Sequence, residues 1–325
     1  MARTIVVGDV HGCFAELAAL LELAAVRDED LLVSVGDLVD RGPEPAEVIR
    51  LFRERPNSVV VTGNHERKHV RGIFSYAQEI TRLQLGPGYG DAVGWMATLP
   101  YHFENAHVRV VHAALLPGVP LSGQPEELLC GSTAGERVLA GHFPQGHWHE
   151  RYTGPKPVAF GHHVTGRAPL LRDGVVFGLD TGACHGWNLT AVSFPDRTVY
   201  SVPARADHWA RIRREWQEPV LKTRPWLDMP WPELAAEASR HAGTPWVAGL
   251  SSWAAALRAL EPALAAAARA SAATLDPAAM RAHPAAPTLF QAASGRLDVA
   301  RTCRTPRRTL ALAEALGVAT PEPPF

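Results

Sequence analysis

The sequence predicts an α/β fold, a two-sheet α/β/β/α sandwich followed by a helical C-terminal extension. Three observations carry that reading. First, Ile5–Val10, Leu31–Val35 and Val59–Thr62 are short runs of β-branched or aliphatic residues that pass through a glycine into polar residues, as strands covered on both faces do. Second, apolar stripes of helical period separate these runs, which makes a β-α-β-α-β unit with parallel strands and right-handed crossovers. Third, short strands with turn residues between them recur over 101–111 and again over 158–202, and beyond Arg205 the chain turns rich in Ala, Pro, Trp and Arg.

Taken in order, Phe14, Leu17, Leu20, Leu21 and Ala24 mark the buried side of a helix over 13–26. Pro43 sits at a first helical turn, and Ala46, Val48, Ile49, Leu51 and Phe52 supply the buried side of the next helix. From Glu66 to about Ala97 the pattern is helical and is interrupted by Gly86-Pro87-Gly88-Tyr89-Gly90. Strands are expected at Tyr101–Glu104 and Val108–Val111, joined by Asn105-Ala106. Residues 117–154 are rich in Gly, Pro and His and read as a long functional loop. Val158–Phe160, Val175–Leu179, Leu189–Phe194 and Thr198–Val202 follow as strands, mostly antiparallel and therefore expected to form a second sheet stacked on the first. The catalytic domain is expected over 1–203 and the extension over 204–325, with helices near 207–216, 231–239, 251–273 and 305–316. Trp253, Leu257, Leu260 and Leu264 read as a packing face, and 320–325, with three prolines, as a frayed end.

A chain of 325 residues with 46% hydrophobic content can bury a sizeable core. Its net charge of -1 gives no global reason to expect nucleic acid or an anionic membrane as partner. The four cysteines, Cys13, Cys130, Cys184 and Cys303, are widely spaced and read as reduced thiols. The chain enters a strand within three residues, without a charged and apolar leader, and its most apolar later stretch is broken by charges and a proline. A soluble, cytoplasmic protein without membrane association is expected.

The chemistry lies where strands end. Parallel strands lying side by side deliver their next residues to one edge, so Asp9, His11, Asp37 and Asn64 should converge there. His112 and His162 follow later strands in the same manner, with His163 as the alternative to His162. His162 is preferred because it directly follows Gly161. A set of carboxylates, imidazoles and one amide oxygen suits borderline ions such as Mn, Fe or Zn better than a thiolate site or an all-oxygen cage. Two such ions about 3.5–4 Å apart can clamp an in-line displacement at phosphorus. The histidines His142, His147 and His149 are irregularly spaced and read as surface or lid residues.

The pieces Gly8-Asp9-Val10-His11-Gly12, Gly36-Asp37-Leu38-Val39-Asp40-Arg41-Gly42, Gly63-Asn64-His65-Glu66, Val111-His112-Ala113 and Phe160-Gly161-His162, in this order, resemble the calcineurin-like metallophosphoesterases, and within them the phosphoprotein phosphatase type. The resemblance covers roughly residues 3–203. It implies that Asp9 and His11 hold one metal, that Asp37 bridges, and that Asn64, His112 and His162 hold a second. It further implies that His65, oriented by Asp40, protonates the leaving oxygen while Arg41 holds the phosphoryl oxygens. The implied cofactors are two divalent ions, Mn first and Fe or Zn as alternatives.

The activity expected is hydrolysis of phosphate monoesters by direct attack of a metal-bridging hydroxide. The partner is then a phosphorylated substrate: a phosphoprotein, a nucleotide or a nucleic-acid end. The segment Leu179–Thr190, with Asp180-Thr181-Gly182, looks like one shared by bacterial diadenosine tetraphosphatases and the phosphatase domain of bacterial polynucleotide kinase-phosphatases. Hydrolysis of dinucleoside polyphosphates or nucleotides is therefore the alternative, and a non-catalytic binding protein on the same fold a minor one. Two departures bear on the choice. Thr62 stands where many protein phosphatases have an arginine, leaving Arg67, Arg151 or Arg167 to supply a second phosphate contact. Asp40 is present, whereas symmetrical diadenosine tetraphosphatases usually lack it, which favours a monoesterase.

Overall fold

The computed structural model describes residues 2–324. The first strands and helices are β1 (Thr4–Val7), α1 (Phe14–Leu23), β2 (Leu31–Ser34), α2 (Pro45–Glu54) and β3 (Ser58–Val60). Then come α3 (Asn64–Val70), α4 (Tyr76–Leu85), α5 (Tyr89–Met96), β4 (His102–Glu104), β5 (Arg109–Val111), α6 (Glu126–Leu129) and α7 (Thr133–His142). The remaining strands are β6 (Val158–Phe160), β7 (Leu170–Arg172), β8 (Val176–Gly178), β9 (Asn188–Phe194) and β10 (Val199–Pro203), followed by α8 (His208–Glu215) and α9 (Gln217–Lys222).

Two five-stranded sheets stack face to face, in the orders β10-β9-β1-β2-β3 and β4-β5-β6-β8-β7. Strand periodicity assigns each side chain its layer. Ile5, Val7, Leu32 and Val60 meet Leu17, Leu20, Val48 and Phe52 of the covering helices. Val6, Val33 and Val61 face Val110, Ala159 and Phe177 of the other sheet. On the far side, Val111, Val158, Phe160 and Val176 pack under Leu128, Leu129 and Trp148. This is the α/β/β/α sandwich that the sequence predicts.

Three features differ from expectation within it. The antiparallel strands β9 and β10 join the first sheet beside β1, because the nearly unbroken buried run of β9 needs a partner on both faces. The second sheet has a parallel centre of β5, β6 and β8. Residues 117–154 are not a structureless loop but contain α6 and α7, the latter begun by Ser132, whose side chain accepts from Gly135 N.

The compact units part between Val220 and Leu221 rather than near Pro203. The reason is that α8 belongs with the first unit. His208 Nε2 donates to Glu16 Oε1 at 2.8 Å, Arg205 N donates to the same oxygen at 2.8 Å, and Ile212 and Val220 bury against Ile80.

The second unit is helical: α10 (Trp231–Arg240), α11 (Pro245–Arg258), α12 (Glu261–Thr274), α13 (Pro277–Ala282), α14 (Ala286–Ala293), α15 (Val299–Thr302) and α16 (Pro306–Leu316). The single helix expected over 251–273 is two, because Pro262 lacks the N–H to continue α11 and instead starts α12. Trp253, Leu257 and Leu264 are buried packing residues. The carbonyls of Pro321 and Pro324 accept the indole N–H groups of Trp253 and Trp246, each at 3.1 Å, so residues up to Pro324 are tied down rather than frayed; Phe325 lies outside the described residues.

Candidate metal centre

Each sheet holds three adjacent parallel strands, β1-β2-β3 along one side of the first sheet and β5-β6-β8 at the middle of the second, and all six end at one edge. Asp9 and His11 follow β1, Asp37 follows β2, Asn64 follows β3, His112 follows β5 and His162 follows β6. Asp180, after β8, is a buried acid beside Asp9 and Asp37 that the residue-by-residue reading did not select. The signal was there: Gly178-Leu179-Asp180 repeats the passage from strand to carboxylate.

The backbone is strained at this edge. His11, Asp37, Asp40, Arg41 and His162 all take left-handed φ, between 47° and 71°, a conformation that non-glycine residues hold only where the surroundings compel it. Two glycines admit the carboxylates. A Cβ on Gly63 would collide with Asp37 Oδ1, and one on Gly161 with Asp9 Oδ1.

Each imidazole is oriented by its other nitrogen. His11 Nδ1 donates to Val39 O at 2.9 Å and His112 Nδ1 to Val35 O at 2.8 Å, so both leave Nε2 as a lone pair facing inward. Metal-ligating histidines are held in this manner. His162 Nε2 donates to Glu136 Oε1 at 3.1 Å, which leaves Nδ1, 3.0 Å from Asn64 Oδ1. His163, by contrast, is exposed; it lies 3.5 Å from Glu136 Oε1 and packs its ring edge-on against His162. Asp37 faces two ways: Oδ2 lies 3.7 Å from His11 Nε2 and 3.8 Å from His65 Nε2, while Oδ1 lies 3.4 Å from His112 Nε2. Asp9, Asp37 and His112 form one group of close donor atoms, and His11, Asp37 and His65 another.

The partners of Asp40 are as expected in one respect and richer in another. Its buried carboxylate takes His65 Nδ1–H at 2.5 Å, and also His69 Nε2–H at 2.9 Å and the amide of Gln78. Arg41 is partly buried, with Nη1 2.9 Å from His11 Nε2 and its guanidinium on Cys184. Thr62, where a second arginine was missed, is buried and donates to Leu99 O at 3.0 Å. Of the substitutes considered, Arg67 is held by Glu127 at 2.5 Å, Arg151 lies over Phe143, and Arg167 over Trp187.

Glu66 and Glu136 were also missed. Glu66 accepts the N–H groups of Asp37 and Leu38 at 2.8 Å and of Gly63 at 3.0 Å, tying the ends of β2 and β3 together. Its place at the third position of a helix that begins after Gly63 is a capping signature visible in sequence. Glu136 is recognisable only in three dimensions, since α7 brings it to His162 across 26 residues. The pair His147 and His149, with rings stacked 5.2 Å apart, borders a cavity of about 760 Å³ that runs to His162.

The charges fit cations. Burial pushes Asp9 well above the usual carboxylate range, with Asp180 and Asp37 adding to the effect. Burial acts on Asp37 in the same sense, but the imidazoles of His112 and His65 outweigh it and hold the group well below that range. Burial would lower His112, yet Asp37 and Asp9 draw a proton to it and raise it to about 10. Burial, then Arg41 and His65, keeps His11 well below its ordinary value, and burial lowers His162. Three buried carboxylates, Asp9, Asp37 and Asp180, thus crowd together among imidazoles aimed by their other nitrogens. Such a dry, mixed O and N set is stabilised by divalent ions in place of protons. The thiols are not part of it: burial pushes Cys184 up to about 12.

Two stacked sheets with acids and imidazoles gathered at their common carboxyl edge fit a metal-dependent phosphoric ester hydrolase. The family model for calcineurin-like phosphoesterases matches residues 2–178, and the chain belongs to that family, which uses a dinuclear divalent-metal centre. Among curated relatives, an asymmetrical bis(5'-nucleosyl)-tetraphosphatase, PrpE, of Geobacillus thermodenitrificans is 28% identical over 240 residues, spanning 62% of this chain and 95% of the relative. A symmetrical bis(5'-nucleosyl)-tetraphosphatase of Psychromonas ingrahamii is 36% identical over 123 residues, 35% of this chain and 45% of its own length. A solved structure described as a putative diadenosine tetraphosphatase superposes with a TM-score of 0.52 at 30% identity, covering 62% of this chain and 94% of its own.

Proposed function

We propose that this chain hydrolyses dinucleoside polyphosphates of the diadenosine tetraphosphate class with two divalent ions. In this reading Asp9 and His11 hold one ion, Asn64, His112 and His162 the other, Asp37 is common to both, and manganese is the preferred metal. The observation that supports it is Asp37, whose two oxygens face different groups of donors. When bound, the ions would lower the pKa of water and neutralise charge at phosphorus.

The protein's own groups do the rest. Arg41, a planar donor fork beside His11, holds phosphoryl oxygens. His65 carries its Nδ1–H on Asp40 and turns Nε2 toward the same space, where it can hand a proton to the departing oxygen. Glu66 and Glu136 hold the strand ends and His162 in place.

The tetraphosphatase relatives, one matched over 95% of its length, favour the dinucleotide substrate. The Asp40–His65 pair favours a second reading, hydrolysis of phosphate monoesters, because an alkoxide leaving group needs the proton that a nucleotide leaving group does not. Initial rates on diadenosine tetraphosphate, an aryl phosphate monoester and the matching diester, measured after metal removal and Mn²⁺ re-addition, separate the two. The proposal expects the dinucleotide to have the highest kcat/KM, with nucleotide products. A faster monoester would overturn it in favour of the second reading.

A further inference from the structure

We infer that the helical unit beginning at Leu221 carries a binding site for a nucleoside polyphosphate, between α14 and α16. These helices, with α15 and the segment to Arg304, border a cavity of about 880 Å³, within the range of about 300–1,000 Å³ of small-ligand sites. Three guanidiniums line it, from Arg301, Arg304 and Arg308, against one acid, Glu314. Among the described residues none of the three has an acidic partner, whereas neighbouring Arg307 is paired with Asp228 at 2.6 Å. Three unpaired guanidiniums at one cavity match a chain of phosphates, whose oxygens they can take two at a time.

The N–H groups at the start of α16 are taken within the fold, Arg307 N by Leu227 O at 2.9 Å and Arg308 N by Thr305 Oγ1 at 3.4 Å, so the cationic character of the cavity rests on its arginine side chains. The local charge agrees: positions 296–308 hold five arginines and one aspartate in a chain whose net charge is -1. The rest of the wall is largely apolar, with Pro284, Pro287, Ala311 and Ala315 beside the buried Ala285 and Leu312. Phosphates on the arginines and a base on that wall describe a nucleotide; a free phosphate chain would leave the wall unused.

The test is calorimetric titration of the full chain, stripped of metal with chelator, using adenosine 5'-(β,γ-imido)triphosphate, inorganic tripolyphosphate and a single-stranded oligonucleotide. One nucleotide per chain is expected. Binding should weaken at least about tenfold in R304Q and in R308Q and fall with added salt, since each guanidinium–phosphate contact is charge-assisted. R308K should bind between wild type and R308Q, because it keeps the charge and loses the fork. Tripolyphosphate should bind at least about tenfold more weakly than the nucleotide, which alone covers the apolar wall. Aryl phosphate hydrolysis after Mn²⁺ re-addition should stay within about twofold of wild type in R308Q, showing a folded chain.

No nucleotide binding, unchanged binding when Arg301, Arg304 and Arg308 are all replaced by glutamine, or tripolyphosphate binding as tightly as the nucleotide would overturn the assignment. So would an oligonucleotide binding far more tightly than the nucleotide, which would make this a nucleic-acid surface. None of these outcomes bears on the metal centre.

Discussion

Replacing Asp40 by asparagine separates the proton-donor role of His65 from metal binding. Asp40 is fully buried and accepts from His65 at 2.5 Å and from His69 at 2.9 Å, with Gln78 as third donor. Burial alone would raise this carboxyl, but the hydrogen bonds from His65 and His69 hold it well below the usual range, so it is a firm anion. Asparagine keeps the shape, loses the charge and turns a donor toward one ring. Each charge-assisted hydrogen bond is worth about 1.5–3 kcal/mol, so a melting point lower by about 3–12 °C is expected for a unit of this size.

Catalysis should fall selectively. A positioned acid contributes about 10²–10⁴-fold, or roughly 3–5 kcal/mol, and only where the leaving oxygen needs a proton. In D40N, kcat for alkyl phosphates should drop at least about 100-fold, while a nitrophenyl phosphate or a nucleotide leaving group should lose less than about tenfold. The assay is the slope of log kcat against leaving-group pKa, which should steepen in the variant while bound metal stays the same. A uniform loss across leaving groups would refute the role given to this pair.

Three further outcomes follow from the geometry. E136Q removes the carboxylate behind His162, so Mn²⁺ affinity should fall about 10–100-fold, whereas H163A should change it less than about twofold; isothermal titration of the stripped chain reads both. Glu16 is pushed up by burial but held down to about 2 by His208 and the N–H of Arg205. A depressed carboxyl stabilises the fold above its ordinary value and loses that contribution as pH falls toward about 2, so wild type should exceed E16Q by about 2–3 kcal/mol at pH 6 and by little near pH 2.5. The measurement is the urea midpoint of metal-stripped protein across that range. Leu257→Ala, at a fully buried position of α11, should cost about 2–5 kcal/mol without changing kcat for an aryl phosphate.

How far the sequence reveals this site depends on what kind of contact makes it. Asp9, His11, Asp37, Asn64, His112 and His162 are legible because each follows a strand, and parallel neighbours end together; position along the chain nearly fixes position in space. Asp40, Arg41 and His65 are legible because they sit within one to four residues of Asp37 or Asn64. Glu136, His69 and Gln78 are not, since helices bring them in from the side and nothing in helical periodicity says which turn meets the site. The pairing of β9 with β1 is hidden for a related reason: a buried strand announces burial but not its neighbour. Between 251 and 273 the alanine-rich stripe masks a break that Pro262 marks, because composition favours helix on both sides of it.

The most direct test of the account is the number of metal ions held by wild type and by D37N. Stripped protein is titrated with Mn²⁺, bound metal is counted by elemental analysis, and magnetic coupling between ions is read by electron paramagnetic resonance. The account predicts two coupled ions per chain in wild type and at most one, uncoupled and weaker, in D37N, with hydrolysis at least about 1,000-fold slower, as expected when a metal-ion contribution of several kcal/mol is removed. Two coupled ions in D37N at wild-type affinity, or full activity in chelated wild type, would contradict it.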